Sequence, residues 1–445
     1  MENIKNSGIQ LENMYKIKRI NRRSHPTTKA VGFPAFVVIG GGAAGFFGAI
    51  RCAEQNPNGK VILLERTKQV LAKVRISGGG RCNVTHACFD IGVLAKNYPR
   101  GQLELRGPLS RFGPRETIAW FEERGIVLKV EEDGRMFPIT DNSETIINCL
   151  TKEAKRLGVD IRLNKKVEIV ERIEGGFKVF IRDEVPVFCQ SILLTTGSVS
   201  DGHAIASSLG HTIVHPVPSL FTFNIPNSPL ESLAGISVDT IKISLPEFQL
   251  EQRGPLLITH WGFSGPAVLK LSAWGARELH KVNYETDVKI NWLPQLNFDH
   301  LLKQIMEWRT VHPKKQLSTE SPFDLPRNLW KVLTSLPNVI PEHKWSQLSN
   351  NQAAEIAHKL HEDVYRISGK TTYKQEFVTC GGVSLSEVKF RTMESLLCPG
   401  LFFAGEILDI DGVTGGFNFQ AAWTTSWLAG TNMVAGSYTD SELTC

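Results

Sequence analysis

No C-x-x-C pair occurs among the eight cysteines, at positions 52, 82, 88, 149, 189, 380, 398 and 445. That scatter argues against a zinc ribbon and against a dithiol-using flavoenzyme of the disulfide-reductase kind, and it fits a reducing compartment. No run of about 18 apolar residues exists, so no membrane-spanning helix is expected. The body of the chain also lacks a surplus of charge. Residues 1–35 hold seven basic residues (Lys5, Lys16, Lys18, Arg19, Arg22, Arg23, Lys29) against Glu2 and Glu12. That excess is the whole formal charge of +5, and it leaves 43 of the 50 basic and 43 of the 45 acidic residues to the remainder. A neutral body gives no electrostatic reason to expect nucleic acid as a partner. The leader has no apolar h-region, which excludes a secretory signal. Its composition fits an organelle transit peptide, chloroplast or mitochondrial, or an extension without fixed structure; otherwise the protein is cytoplasmic.

What is present begins at Phe36-Val-Val-Ile-Gly40-Gly41-Gly42-Ala43-Ala44-Gly45, with Glu65 twenty residues further on. A short apolar run ends in G-x-G-x-x-G, a helical pattern follows, and Val61–Leu64 leads into the acid. Gly40 allows a tight turn, Gly42 lets backbone approach a pyrophosphate, and Gly45 permits close helix–strand packing. The helix N-terminus offers N–H groups and a positive dipole end to phosphates. Glu65 is placed to accept from a ribose diol. The pattern predicts a dinucleotide site without saying which dinucleotide.

Next comes Lys73-Val-Arg-Ile-Ser77-Gly78-Gly79-Gly80-Arg81-Cys82-Asn83-Val-Thr85. Three consecutive glycines between basic residues predict a backbone nest facing an anion or a flat ring, with a flexible loop as the plain alternative. Helices are expected over 116–124 and 143–157, a turn over 134–138, and a β-hairpin or meander over 165–183 around Gly175-Gly176. Ser191–Thr196 running into Gly197, and Gly400–Ala404 running into Gly405, read as strands returning to a parallel sheet. The proline-rich 202–292 is β-like and the glycine-free 299–363 is helical. An apolar helix closes the pattern over 419–429.

The motifs GGGAAG (40–45), KVRISGGGRCNVT (73–85), GRMFP (134–138), FSGPAVL (263–269), TCGGV (379–383) and PGLFFAGEILDIDGVTGGFNFQAAW (399–423) together resemble the HI0933-like (YhiN/BaiN-like) family of NAD(P)/FAD-dependent oxidoreductases. The resemblance implies an α/β fold: a Rossmann-like FAD-binding domain of the glutathione-reductase type with an inserted mixed β and helical domain. The FAD domain would comprise 36–200 and 376–435, the substrate lobe 201–375, and the tail 436–445. It further implies that Gly40, Gly42, Ala43 and Gly45 cradle the pyrophosphate, Glu65 holds the adenosine ribose, and Arg66 and Val167 lie by the adenine. Lys73 and the nest Ser77, Gly78, Gly79, Gly80, Arg81, Cys82 and Asn83 would run along the rest of the cofactor. Gly197 and Gly405 end strands there, and Glu406 and Asp411 would approach the ribitol. The N–H groups of Gly415, Gly416, Phe417 and Asn418, ahead of the last helix, would hold negative charge at flavin N1/O2. One departure is the shortened Thr195-Thr-Gly197-Ser198-Val-Ser-Asp201-Gly202-His203 loop, where the family often has ATGG.

The function implied is hydride transfer through flavin N5 from a reductant, with NAD(P)H as a transient candidate, to a small organic substrate. A second G-x-G-x-x-G is absent, which argues against a dedicated nicotinamide domain. The alternative is an FAD-containing RNA-associated or tRNA-modifying protein, and a third reading is a non-catalytic FAD-binding protein. No residue stands out as catalytic acid, base or nucleophile. His211 and His215 flank a β-branched, proline-ended segment and are not expected to bind metal. His260 reads as a turn histidine, Cys82 as packing, and Ser264 lacks a nucleophile-elbow context. Trp423 and Trp427 read as core.

Overall fold

Phe36 to Ile39 is an uninterrupted apolar run because a central parallel strand has covered faces on both sides. The computed structural model describes residues 35–336, 339, 342–371 and 378–434. The basic leader and the tail 436–445 lie outside the described residues, Ala35 apart. β1 (Ala35–Ile39) pairs in parallel with β2 (Lys60–Leu64) on one side and with Ser191–Leu194 on the other. Leu401–Phe403 and Asp160–Arg162 extend the parallel sheet outward on the two sides, and Val388–Lys389 with Glu394–Ser395 adds an antiparallel edge.

Helix α1 (Ala43–Gln55) joins β1 to β2 and buries Phe46, Phe47, Ala49 and Ile50. The last helix, Phe417–Asn432, lies against α1. A Cβ on Gly430 would sit 2.6 Å from the Gly48 carbonyl oxygen, so the two backbones touch where neither residue has a side chain. Phe47, Phe112, Trp120 and Trp423 interlock around this contact, with ring centroids 4.6–5.5 Å from Phe47.

A second core is built from residues 221–367. Its sheet is antiparallel throughout, in the order Asp363–Ser368, Glu285–Asn291, Ser237–Leu245, Leu250–Thr259, Gly262–Ser264, Thr222–Asn224, Lys370–Thr371. The helices Phe298–Val311, Arg327–Leu333 and Asn350–His361 supply the glycine-free part of this lobe. The helix Ser200–Ser208 belongs instead to the first core, where it buries Ile205 and Ala206. Two crossings connect the cores, Ile213–Ser219 and Val378–Val383, paired as an antiparallel ribbon.

The turn expected over 134–138 is confined to Glu131–Gly134, closed by the Gly134 N–H on the Glu131 carbonyl at 2.8 Å. Arg135–Pro138 is instead a strand, paired with Thr85–His86 and Leu128–Val130. Met136, Phe137 and Pro138 are all buried, and a Cβ on Gly78 would lie 2.8 Å from the Phe137 ring, so the strand runs beside the glycine nest.

Candidate cofactor-binding site

Four parallel strands end on one line, and a cleft of about 710 Å³ runs along their C-terminal ends. β1 delivers Gly40 to Ala44, β2 delivers Glu65, Ser191–Leu194 delivers Thr195 to Val199, and Leu401–Phe403 delivers Ala404 to Glu406. Ligands of open α/β sheets bind at such carboxyl ends.

Glu65 is fixed before any ligand arrives. Its Oε2 accepts the Gly41 N–H at 2.8 Å, and its Oε1 accepts the backbone N–H and hydroxyl of Thr67, both at 2.8 Å. The carboxylate therefore presents its remaining lone pairs to the cleft in one orientation. Gly41 was not among the sequence candidates, although it sits inside the motif. Its N–H is what aims the acid.

The backbone fits a pyrophosphate. Gly42 has an ordinary φ of −87°, and a Cβ built there meets nothing within 4 Å. The same openness is found at Gly79. Both line the cleft, so at these two points main-chain atoms face the space directly. Gly45 is not on the wall. A Cβ there would fall 1.8 Å from the Gly40 carbonyl oxygen, which makes it the glycine of helix–strand packing.

A slot of about 50 Å³ adjoins the Glu65 end, lined by Ile39, Leu64, Val167, Val199 and Ile205. Its rim is polar: Asp201 pairs with Arg66 at 3.1 Å and with Lys166 at 3.0 Å. The Lys166 hydrogen bond holds the Asp201 carboxyl below its usual range. The apolar walls suit an aromatic base.

Helix α2 (Ala72–Gly80) is helical only as far as Ile76, because Ser77 is extended and Gly78 and Gly79 are left-handed at φ +58° and +69°. This is the nest, and Lys73, Ser77, Gly78, Gly79 and Asn83 line the cleft from it. Asn83, with its amide turned to suit both partners, donates to the Thr85 carbonyl at 3.1 Å and accepts the Gly416 N–H at 2.9 Å. It ties the nest to the turn before the last helix. Gly416 is thus engaged by protein. Gly415, Asn418 and Phe419 also line the cleft, and the last helix points its N-terminus there.

Several candidates stand elsewhere. Arg81 lays its guanidinium over the Phe137 ring at 4.0 Å and pairs with Glu131 at 2.5 Å, away from the wall. Cys82 is fully buried, and burial pushes its thiol up to about 12. Gly80 accepts the Ser143 N–H through its carbonyl at 2.9 Å. Phe417 packs its ring on His86 and Tyr98, with centroids at 4.7 and 6.1 Å. Asp411 requires correction. It is fully buried, ion-paired with Arg100, and accepts the Ser219 hydroxyl at 2.7 Å, so it holds protein together instead of facing a ribitol. Gly197, Gly405 and Glu406 are on the wall.

Arg135 and Leu220 also line the cleft. Neither was a sequence candidate. His86, the register partner of Arg135, keeps a buried Nδ1 without a partner, and burial pushes its imidazole below the ordinary value. Among the described residues no cluster of His, Cys, Asp and Glu could hold a metal. None of the described helices is long and apolar enough to cross a membrane.

The family model described as HI0933-like protein Rossmann domain matches residues 34–432. The chain is similar to the ribosomal RNA dihydrouridine synthase of Escherichia coli (strain K12), 30% identical over 411 residues that cover 90% of this chain and 98% of that one. It is also 29% identical to the 3-dehydro-bile acid delta(4,6)-reductase of Clostridium scindens (strain ATCC 35704 / DSM 5676 / VPI 13733 / 19), over 88% of this chain and 97% of that one. Among solved structures, the 3-ketosteroid-delta4-(5alpha)-dehydrogenase from Rhodococcus jostii RHA1 aligns with a TM-score of 0.48 at 14% identity, covering 93% of this chain and 99% of that one.

Proposed function

The chain belongs to the HI0933-like family of FAD-binding flavoprotein oxidoreductases, and on that premise we propose that it is a reductase saturating a carbon–carbon double bond conjugated to a carbonyl. The observation that carries the cofactor half is the single cleft lined at once by the Gly40–Ala44 turn, the Ser77–Gly79 nest and the Gly415–Gly416 turn. FAD, when bound, supplies a two-electron hydride donor. Gly42 and Ala43 would hold the pyrophosphate, Glu65 the adenosine ribose, and Val167 with Arg66 the adenine edge. Lys73, Ser77 to Gly79 and Asn83 would hold the remainder. The substrate half is supported by the two relatives' names, which describe the same bond change: dihydrouridine is uridine saturated beside a carbonyl, and a 3-oxo delta(4,6) steroid is a conjugated ketone.

NAD(P)H is the proposed electron donor. The single G-x-G-x-x-G supports a nicotinamide that visits the open flavin face over one with its own domain. Anaerobic stopped-flow with NADH and NADPH is expected to bleach the bound flavin. Bleaching by neither would remove this half-reaction.

A second reading, a uridine within RNA as the substrate, is favoured by the 30% identity that covers 98% of the Escherichia coli relative. Incubating the reduced protein with unmodified ribosomal RNA and digesting it to nucleosides separates the two, since dihydrouridine forms only if RNA is the substrate.

A further inference from the structure

Three cations line the cleft, and each is engaged with acids beside it; two of them are Arg66, with Asp201, and Lys73, with Glu406. The third is Arg135. It pairs in strand register with His86, next to the Thr85 carbonyl through which Asn83 ties the nest to the Gly416 turn. Gly78, Asn83, Leu220 and Val378 share that stretch of wall. Leu220 directly follows one crossing between the cores and Val378 begins the other, so this stretch is where a second molecule can lie against a cofactor held by the FAD domain.

Arg135 is aimed there by two carboxylates. Its Nε donates to Asp133 Oδ2 at 2.6 Å, and its Nη2 pairs with Glu131 Oε2 at 2.9 Å. Glu131 is itself fixed by Arg81 at 2.5 Å. Nη1 makes no hydrogen bond among the described residues. A guanidinium held on one edge and open at Nη1 is a pre-oriented donor.

We propose that Arg135 is a catalytic residue whose Nη1 donates to the substrate carbonyl oxygen. This rests on the reductase reading above. Hydride adds at the β-carbon, the electron pair of the carbon–carbon double bond moves toward the carbonyl, and negative charge collects on the oxygen facing Arg135. Water then protonates the α-carbon and the carbonyl reforms. One hydride and one proton are added to the substrate, and the two electrons come from the reduced cofactor, recharged by a nicotinamide donor. A fixed cation facing a charge that develops in the transition state lowers the barrier without reorganising. The same oxygen is present in an enone and in the uracil ring, so the proposal names a chemical class common to both.

The test compares wild type, R135K and R135M, each loaded with FAD and reduced anaerobically with one equivalent of dithionite. Each is mixed with cyclohex-2-en-1-one or with a uridine-rich oligoribonucleotide, and return of the flavin absorbance is timed. Wild type is expected to be reoxidised by one of the two, which identifies the source of the carbonyl. R135M is expected to react about 10- to 100-fold more slowly, the range of a lost charge-assisted hydrogen bond, with R135K between them. A second readout needs no turnover. Cyclohexanone or dihydrouridine, titrated against oxidised protein, should shift the flavin band, with half-saturation raised on the same order in R135M. R135M reacting at the wild-type rate overturns the proposal and leaves the reductase reading standing. Wild type reoxidised by neither compound overturns the reading and the proposal together. Loss of FAD from R135M would reassign the residue to the cofactor and overturn it as well.

Discussion

Lys73 and Glu406 lie 333 positions apart in the chain and close an ion pair of 2.5 Å at the cleft. One comes from the glycine nest and the other from the last strand of the parallel sheet, so the pair joins the two halves of the FAD domain. Its lysine side chain is 52% exposed, and exposed pairs contribute at most about 1 kcal/mol to folding. E406Q should therefore hardly move the melting temperature, yet raise the FAD dissociation constant several-fold. Flavin fluorescence on release measures the second quantity, and a melting shift with unchanged affinity would contradict the assignment.

Two neighbouring glycines separate binding from folding. In G42A the new methyl enters open cleft at an ordinary φ, so the fold should persist while FAD content falls. In G45A the methyl would meet the Gly40 carbonyl at 1.8 Å, and overpacking of that kind costs about 3 kcal/mol or more. Urea unfolding with the A450/A280 ratio of the purified variants distinguishes the two outcomes.

Asp411 and Arg100 should behave as a structural unit. Arg100 Nη1 also donates to the Ala273 carbonyl at 2.6 Å, and Ser219 donates to Asp411. Removing either charge leaves the other buried, which costs about 3–5 kcal/mol. D411N and R100M are each expected to lower unfolding free energy by that amount in urea titrations. The double variant should be less destabilised than the sum, because no lone charge remains.

Acid should weaken the fold before carboxylates titrate. Burial pushes the imidazoles of His203 and His211 below the ordinary 6.5, so both stay neutral when folded and take up protons only on unfolding. Their contribution is full above about pH 6.5 and is lost as pH falls through that value toward the lower folded pKa. Melting temperature should decline from pH 7.5 to 5.5. H211N, which removes one such group, should give a lower but flatter curve.

The parallel sheet was legible because covered strands must be apolar end to end, as Phe36–Ile39 and Ile192–Leu194 are. Gly42, Gly45 and Gly79 were legible: at Gly42 and Gly79 a side chain would enter the cleft, and at Gly45 one would strike the Gly40 carbonyl, so a glycine pattern marks these points in the sequence. Asp411 was not. A carboxylate in a glycine-rich loop resembles a solvated or ligand-facing group, and its partner Arg100 is 311 positions away, beyond any local pattern. Arg135 escaped notice for a different reason. Gly134 at φ +85° signals a turn, and that signal masks the short strand that begins one residue later.

The insertion of the lobe also sets an order of assembly. During synthesis Ser191–Leu194 emerges with an unpaired edge, and its neighbour Leu401–Phe403 comes only after the whole second core has been made. That core is contiguous in sequence and can collapse at once, while the nucleotide half waits for the last helix to cover α1. A nascent chain therefore carries an open strand edge until Leu401–Phe403 leaves the ribosome, and such edges are where chains pair with the wrong partner. Cofactor supply can rescue only chains in which Leu401–Phe403 and the last helix are already in place.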